Sequence, residues 1–184
     1  MRAPCQPCLT YLSLDSKMEE VEPPIMEDFV YICDNTYTHD EIRTMEFQLL
    51  KTLKFDLSFA SPAGFCAKFS CLANADRRAS FLAQYLVDLT MQDYVFLKYI
   101  PSEIAASCVV LALHTLDLPH WNAALAAQTG YQLDFLLKDC VPALHLMLRK
   151  VPEGALQALR SRYSAPALLA VATAVPKATL PPHV

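Results

Sequence analysis

The stretch that decides the fold is T-H-D-E-I-R-T-M-E-F-Q-L-L-K-T-L-K-F, Thr38 to Phe55. Thr38 followed three positions later by Glu41 is a capping box: the hydroxyl takes one orphan backbone amide and the carboxylate returns to the threonine's own. Asp40 and Glu41 open the first turn while Lys51 and Lys54 close the last, the order a helix dipole favours. Ile42, Met45, Leu49, Leu50 and Leu53 recur at helical spacing and form an apolar stripe. The spacing predicts an amphipathic helix that buries this stripe against other helices.

Glu46 breaks the stripe, because it stands four residues after Ile42 and four before Leu50. A carboxylate taken out of water costs several kcal/mol unless it is paired or hydrogen-bonded. Two readings follow from the residues. Glu46 either pairs inside the chain with a lysine or arginine, or faces backbone amides of a partner protein. Lys17 invites the mirror-image question, although a lysine closing a helix is ordinarily a solvated complement to the dipole.

Outward from this helix, the chain reads as further helices. Upstream, D-S-K-M-E-E-V-E-P-P (Asp15 to Pro24) must end a helix, since proline has no amide hydrogen and restricts the residue before it. Pro24 to Ile32 reads as a short helix stopped by Asp34-Asn35. Ser61-Pro62 opens a segment through Leu72, and Ala79 to Asp93 places Phe81, Leu82, Tyr85, Leu86 and Leu89 on one side. The helix opened by Pro101-Ser102 is apolar nearly all round, so other helices must surround it. Trp121 to Gln128 ends near Gly130, and Pro142 should bend or divide a helix from Leu133 to Lys150. One more helix through Tyr163 precedes an Ala/Val/Pro-rich tail with no assignment. No sustained alternation with hairpin turns is present, so the fold class is all-α.

Composition excludes several functions. The chain has 184 residues, of which 54% are hydrophobic and 18% charged, enough to fill a core. Its three glycines are scattered, whereas phosphate-cradling loops need them clustered. The net charge of −4 and the lack of a basic run argue against nucleic-acid binding. No apolar run is long enough to span a bilayer, and no signal-peptide pattern opens the chain, so a soluble intracellular protein is expected, in nucleus and cytoplasm, with no basic import signal in view. The seven cysteines fit reduced, buried thiols better than a disulfide framework. Cys5 and Cys8 have C-x-x-C spacing without the second pair a zinc ribbon requires. A thiol enzyme using a cysteine with His114, His120 or His145 is a third possibility, but no nucleophile, base and orienting group assemble from the spacing. No cofactor is implied.

Ser16-Lys17-Met18-Glu19-Glu20, Pro23-Pro24, the run from Phe29 to Thr38, Met45-Glu46 and Leu53-Lys54-Phe55-Asp56-Leu57 closely resemble the mitotic A/B-type cyclins. The resemblance continues through Leu97 to Ser102, Ile104-Ala105-Ala106, Trp121 and Thr129-Gly130-Tyr131. It implies a cyclin fold of two tandem five-helix boxes. It further implies a regulatory subunit, not itself an enzyme, that binds and activates a cyclin-dependent serine/threonine kinase in cell-cycle control through the kinase αC helix and activation segment.

In the family, the lysine of S-K-Y/F-E-E and the glutamate of M-E bond to backbone groups near that helix, and their separation is matched by Lys17 and Glu46. Met18, Leu50, Phe55 and Leu57 correspond to the apolar kinase contacts. Nothing in Met1 to Leu14 resembles the M-R-A-I-L motif, so R-x-L substrate docking is expected to be absent, as is a destruction box. Asp15 stands where the family has a small apolar residue.

The expected organisation is a partial first box over 9–57, holding its third to fifth helices only. A complete second box over 58–152 follows, then a terminal helix and tail over 153–184. Each large side chain left uncovered in the first box forgoes roughly 1.5–3 kcal/mol. The resemblance therefore predicts a stable second box, a weakly ordered first box with weakened kinase binding, and an exposed apolar patch beside Met18 and Ile25. The alternative is a cyclin-fold interaction module that activates no kinase.

Overall fold

The computed structural model describes residues 5–119 and 121–181. Among these residues there are ten α-helices, several single 3-10 turns and no strand, as an all-α fold requires. The chain divides between Phe59 and Ala60 into two compact units.

The first unit holds α1 (Gln6–Glu19), α2 (Met26–Ile32) and α3 (His39–Thr52). Its fully buried apolar residues are Leu9, Phe29, Cys33 and Ile42, with Met26, Val30 and Tyr37 packed against them. The capping box forms as expected: the Glu41 amide donates to the Thr38 hydroxyl at 3.4 Å, and the Thr38 amide donates to the Glu41 carboxylate at 2.8 Å. The amide and hydroxyl of Thr38 hold the Glu41 carboxyl below the usual carboxylate range. Beyond α2, Asp34 and Asn35 both take left-handed backbone (φ 55°), the stop their residue types allow.

Two details differ from the sequence reading. Helix α2 begins at Met26 rather than Pro24, because the Asp28 carboxylate accepts from the Ile25 amide at 3.0 Å and so fixes the cap at Ile25. Helix α3 buries only Ile42 and Glu46. Met45, Leu49 and Leu50 of the expected stripe are half-buried, and Leu53 is exposed.

The reason lies in α1, which packs on both α2 and α3. Its buried face is Leu9, Thr10, Ser13 and Ser16, whereas Tyr11, Leu12 and Met18 are about half exposed. Small side chains turned inward bring two helices close together but cover little apolar area.

The second unit is built around α6 (Pro101–Thr115), whose residues from Ile104 to Thr115 are all buried. Helices α4 (Pro62–Leu72), α5 (Arg77–Thr90) and α9 (Cys140–Lys150) pack against it, with α8 (Leu133–Lys138) touching it and α7 (Ala123–Thr129) lying on α4. Side-chain caps start three of these helices: Ser61 for α4, Asp76 for α5 and Asn122 for α7. The Asp76 cap places the start of α5 at Arg77, two residues ahead of the expected Ala79. Gly130 ends α7 with φ 81°, a conformation glycine adopts without strain.

The segment from Leu133 to Lys150 is divided, as Pro142 foretold, and the break falls at Asp139 (φ −143°, ψ −56°). A proline ring collides with the carbonyl four residues back, which here belongs to Lys138, the last residue of α8. Asp139 accepts from Lys98 at 2.6 Å, and that bond holds its carboxyl below the usual range.

The expected last helix is α10 (Ala158–Tyr163), and the tail left unassigned is docked. Tyr163 stacks obliquely on Tyr85 with centroids 5.0 Å apart and donates its hydroxyl to Asp88 at 2.6 Å. Val171 is buried in the main core. The His114 and His145 rings meet the backbone carbonyls of Thr179 and Lys177 at 2.9 and 2.6 Å, and Lys177 pairs with Asp117.

Leu111 is fully buried at the centre of α6. Leu111→Ala is expected to lower the unfolding free energy by about 2–5 kcal/mol, read as a lower urea midpoint at unchanged slope. A loss below about 1 kcal/mol would contradict the packing of α6 as described.

Candidate protein-interaction site

The outward face of α1 and the chain leaving α3 enclose an apolar groove of about 510 Å³. Helix α1 supplies Tyr11, Asp15 and Met18, and the far wall is Leu53, Leu57 and Phe59. Lys54 and Phe55 turn the chain out of α3 with left-handed backbone (φ 53° and 59°), which lets Leu57 come back to the groove. Val21 and Ile25 are also strongly exposed just beyond α1.

Lys17 and Glu46, 29 positions apart, form an ion pair that ties the last turn of α1 to the middle of α3. This answers the question posed by a carboxylate on an apolar stripe: in the isolated chain its partner is internal, and that partner is Lys17. The Glu46 side chain is 12% exposed and that of Lys17 is 44% exposed, so the pair opens to solvent on the lysine side. The bond engages one of three ammonium N–H groups and one of two carboxylate oxygens, and capacity remains on both.

Of the six residues singled out from the sequence, the structure gathers Met18 and Leu57 at the groove and joins Lys17 to Glu46. Leu50 is half-buried on α3 and Phe55 is exposed, and neither lines the groove. Sequence reasoning missed Tyr11, Leu53 and Phe59 as groove residues. The signal was present in α1, where residues 11, 15 and 18 share one helical face. Leu53 was placed with the buried stripe, but it lies just past the end of α3 and faces outward.

The cysteines divide into one bonded pair, four buried groups and one exposed group. Cys5 and Cys8 are joined as a disulfide and are exposed, so the expectation of reduced, buried thiols fails at those two positions. Both lie at the start of α1, where one helical turn brings them together. Cys33, Cys66, Cys108 and Cys140 are buried, and Cys71 is exposed. Burial pushes the Cys66 thiol up to about 11 and Cys140 up to about 12, and raises Cys108 well above its ordinary value. A thiol so placed is neither ionised nor nucleophilic near neutral pH. His114 and His145 are buried and bonded to tail carbonyls, the ordinary role of core histidines, while His120 lies outside the described residues. Among the described residues no group of three His, Cys, Asp or Glu side chains is arranged to hold a metal ion. Among the described residues no helix is long and apolar enough to cross a membrane.

Two family models match the chain: "Cyclin, N-terminal domain" over residues 8–58 and "Cyclin, C-terminal domain" over residues 60–177. Similar relatives include Cyclin-A3-2 of Oryza sativa subsp. japonica, 37% identical over 175 residues, which covers 90% of this chain and 45% of that protein. G2/mitotic-specific cyclin-B of Hydra vulgaris is 36% identical over 163 residues, covering 89% and 45%. Cyclin-A1 of Homo sapiens is 38% identical over 168 residues, covering 91% and 36%. The chain thus spans less than half the length of these curated relatives.

The placement of the thiols has a direct check. In the native protein without reductant, Cys71 alone should react rapidly with a chromogenic disulfide reagent at pH 8, and four further thiols should react on denaturation. A second fast thiol in the folded protein would show that one of the four is not buried.

Proposed function

The chain belongs to the cyclin family, and on that premise we propose that it is a regulatory subunit that binds and activates a cyclin-dependent serine/threonine kinase in cell-cycle control. The observation that carries the proposal is the Lys17–Glu46 pair on the two helices, α1 and α3, from which the apolar groove is built. The groove supplies apolar area for a helix, through Met18 and Leu57. The pair supplies spare donors and acceptors for the backbone groups at that helix's end. Leu50 and Phe55 extend the apolar contact beyond the groove.

The work done on the kinase is a shift of population. A protein kinase is active only when the glutamate of its αC helix pairs with the ATP-binding lysine. A partner that prefers the kinase with αC in place stabilises that state by its difference in affinity for the two states, and by no more. No proton or nucleophile of this chain enters the reaction. In this reading the protein is not itself an enzyme.

One observation favours a second reading, an interaction module that binds without activating. The first unit rests on a small core of four fully buried apolar residues among those described, and a yielding scaffold holds a partner helix less firmly.

A pull-down against a panel of cyclin-dependent kinases tests both. The parent should capture a kinase and raise its activity on a peptide substrate. Lys17→Ala and Glu46→Ala should each reduce capture roughly tenfold or more, as loss of a central charged contact does. Circular dichroism must show both variants still helical, because the pair also ties α1 to α3. Capture without activation would favour the module. Full capture by both variants would remove the pair from the interface.

A further inference from the structure

Asp15 sits where the groove should be most apolar. Tyr11, Asp15 and Met18 follow one another at intervals of four and three residues, so they lie on a single face of α1, and all three line the groove. The carboxylate is exposed, and no hydrogen bond or ion pair engages it among the described residues. A second carboxylate, Asp56, lines the same groove, and no lysine or arginine does.

An apolar helix seated in the groove would strip water from the Asp15 carboxylate and give nothing in return, which is the costly case of an unpaired charge. A helix of the same shape with a cation opposite Asp15 would replace the lost water with a charge-assisted bond. We propose that the groove accepts a helix bearing a lysine or arginine within its apolar face, and that Asp15 imposes this choice. The discrimination is largely negative: it rejects acidic and wholly apolar helices more than it rewards basic ones. This rests on, and sharpens, the regulatory-subunit reading, because it states which kinase helices the chain can hold.

The test uses the full chain and three labelled helical peptides of ~16 residues that share one leucine-rich face and differ at its central position, which is Lys, Ala or Glu. Fluorescence anisotropy should find the Lys peptide bound roughly tenfold more tightly than the Glu peptide, with Ala between them. Asp15→Ala should collapse that ratio to about threefold or less and tighten the Ala peptide. Asp15→Lys should reverse the order. Raised salt should narrow the spread, since the groove is open to solvent. Asp15 is exposed in mid-helix, so these changes spare the fold, and circular dichroism checks it.

An unchanged Lys-to-Glu ratio in Asp15→Ala would overturn the proposal, as would the absence of binding by all three peptides. Peptide discrimination with no kinase captured in the pull-down would sustain the groove's preference and sink the regulatory reading. Kinase capture without peptide discrimination would overturn the groove's preference alone.

Discussion

Ser13 and Ser16 bring α1 against α3 as closely as small side chains allow, and the large side chains of the same helix are thereby turned outward. Much of the first unit follows from this orientation. The stripe of α3 buries only Ile42 and Glu46, and Leu9 is the one large apolar residue on the buried face of α1. Tyr11, Leu12 and Met18 form a wall, the residues after α3 form another, and the space between them is the groove. The groove arises here from the facing of one helix together with the left-handed turn at Lys54 and Phe55.

The Lys17–Glu46 pair works within that arrangement. With one partner nearly half exposed, its contribution to stability is small, of the order of 1 kcal/mol or less. Its greater effect is to let a carboxylate lie on an otherwise apolar helix face while staying paired and hydrogen-bonded. The second unit solves a different problem. Helix α6 has no polar face to give to water, so α4, α5, α8 and α9 must enclose it. Its one thiol, Cys108, and its histidine, His114, are buried with it, and burial raises the thiol well above its ordinary range.

What could be read from the sequence was whatever is decided locally. Thr38 and Glu41 meet across one turn, Ser61 precedes Pro62, and Gly130 follows the last turn of α7, so these boundaries were visible in advance. Pro142 announced a break, but the break lies where its ring meets the Lys138 carbonyl, a displacement that a sequence pattern does not register. The start of α2 was misplaced because Asp28, and not the prolines, sets the cap.

Long-range pairings were hidden. Spacing showed Lys17 and Glu46 to be unusual, yet nothing in it joined two residues 29 positions apart to each other. The facing of α1 was equally hidden. Its sequence mixes small polar and large apolar residues with little amphipathic contrast, and only the contact with α3 decides which set goes inside. The docking of the tail depends on carbonyl groups, which every residue has and no sequence pattern marks.

That last feature bears on how the chain tolerates change. His114 and His145 hold the tail by its main chain, at Thr179 and Lys177, and since a carbonyl only accepts, each ring must present its Nε2 proton. A contact made to the backbone does not read the side chain attached to it. Apart from the buried Val171 and Pro181, the core contacts of Leu168, Ala172 and Ala174, and the Lys177–Asp117 pair, the tail is free to drift in sequence while keeping its path across the second unit. The two histidines, which do the holding, are not.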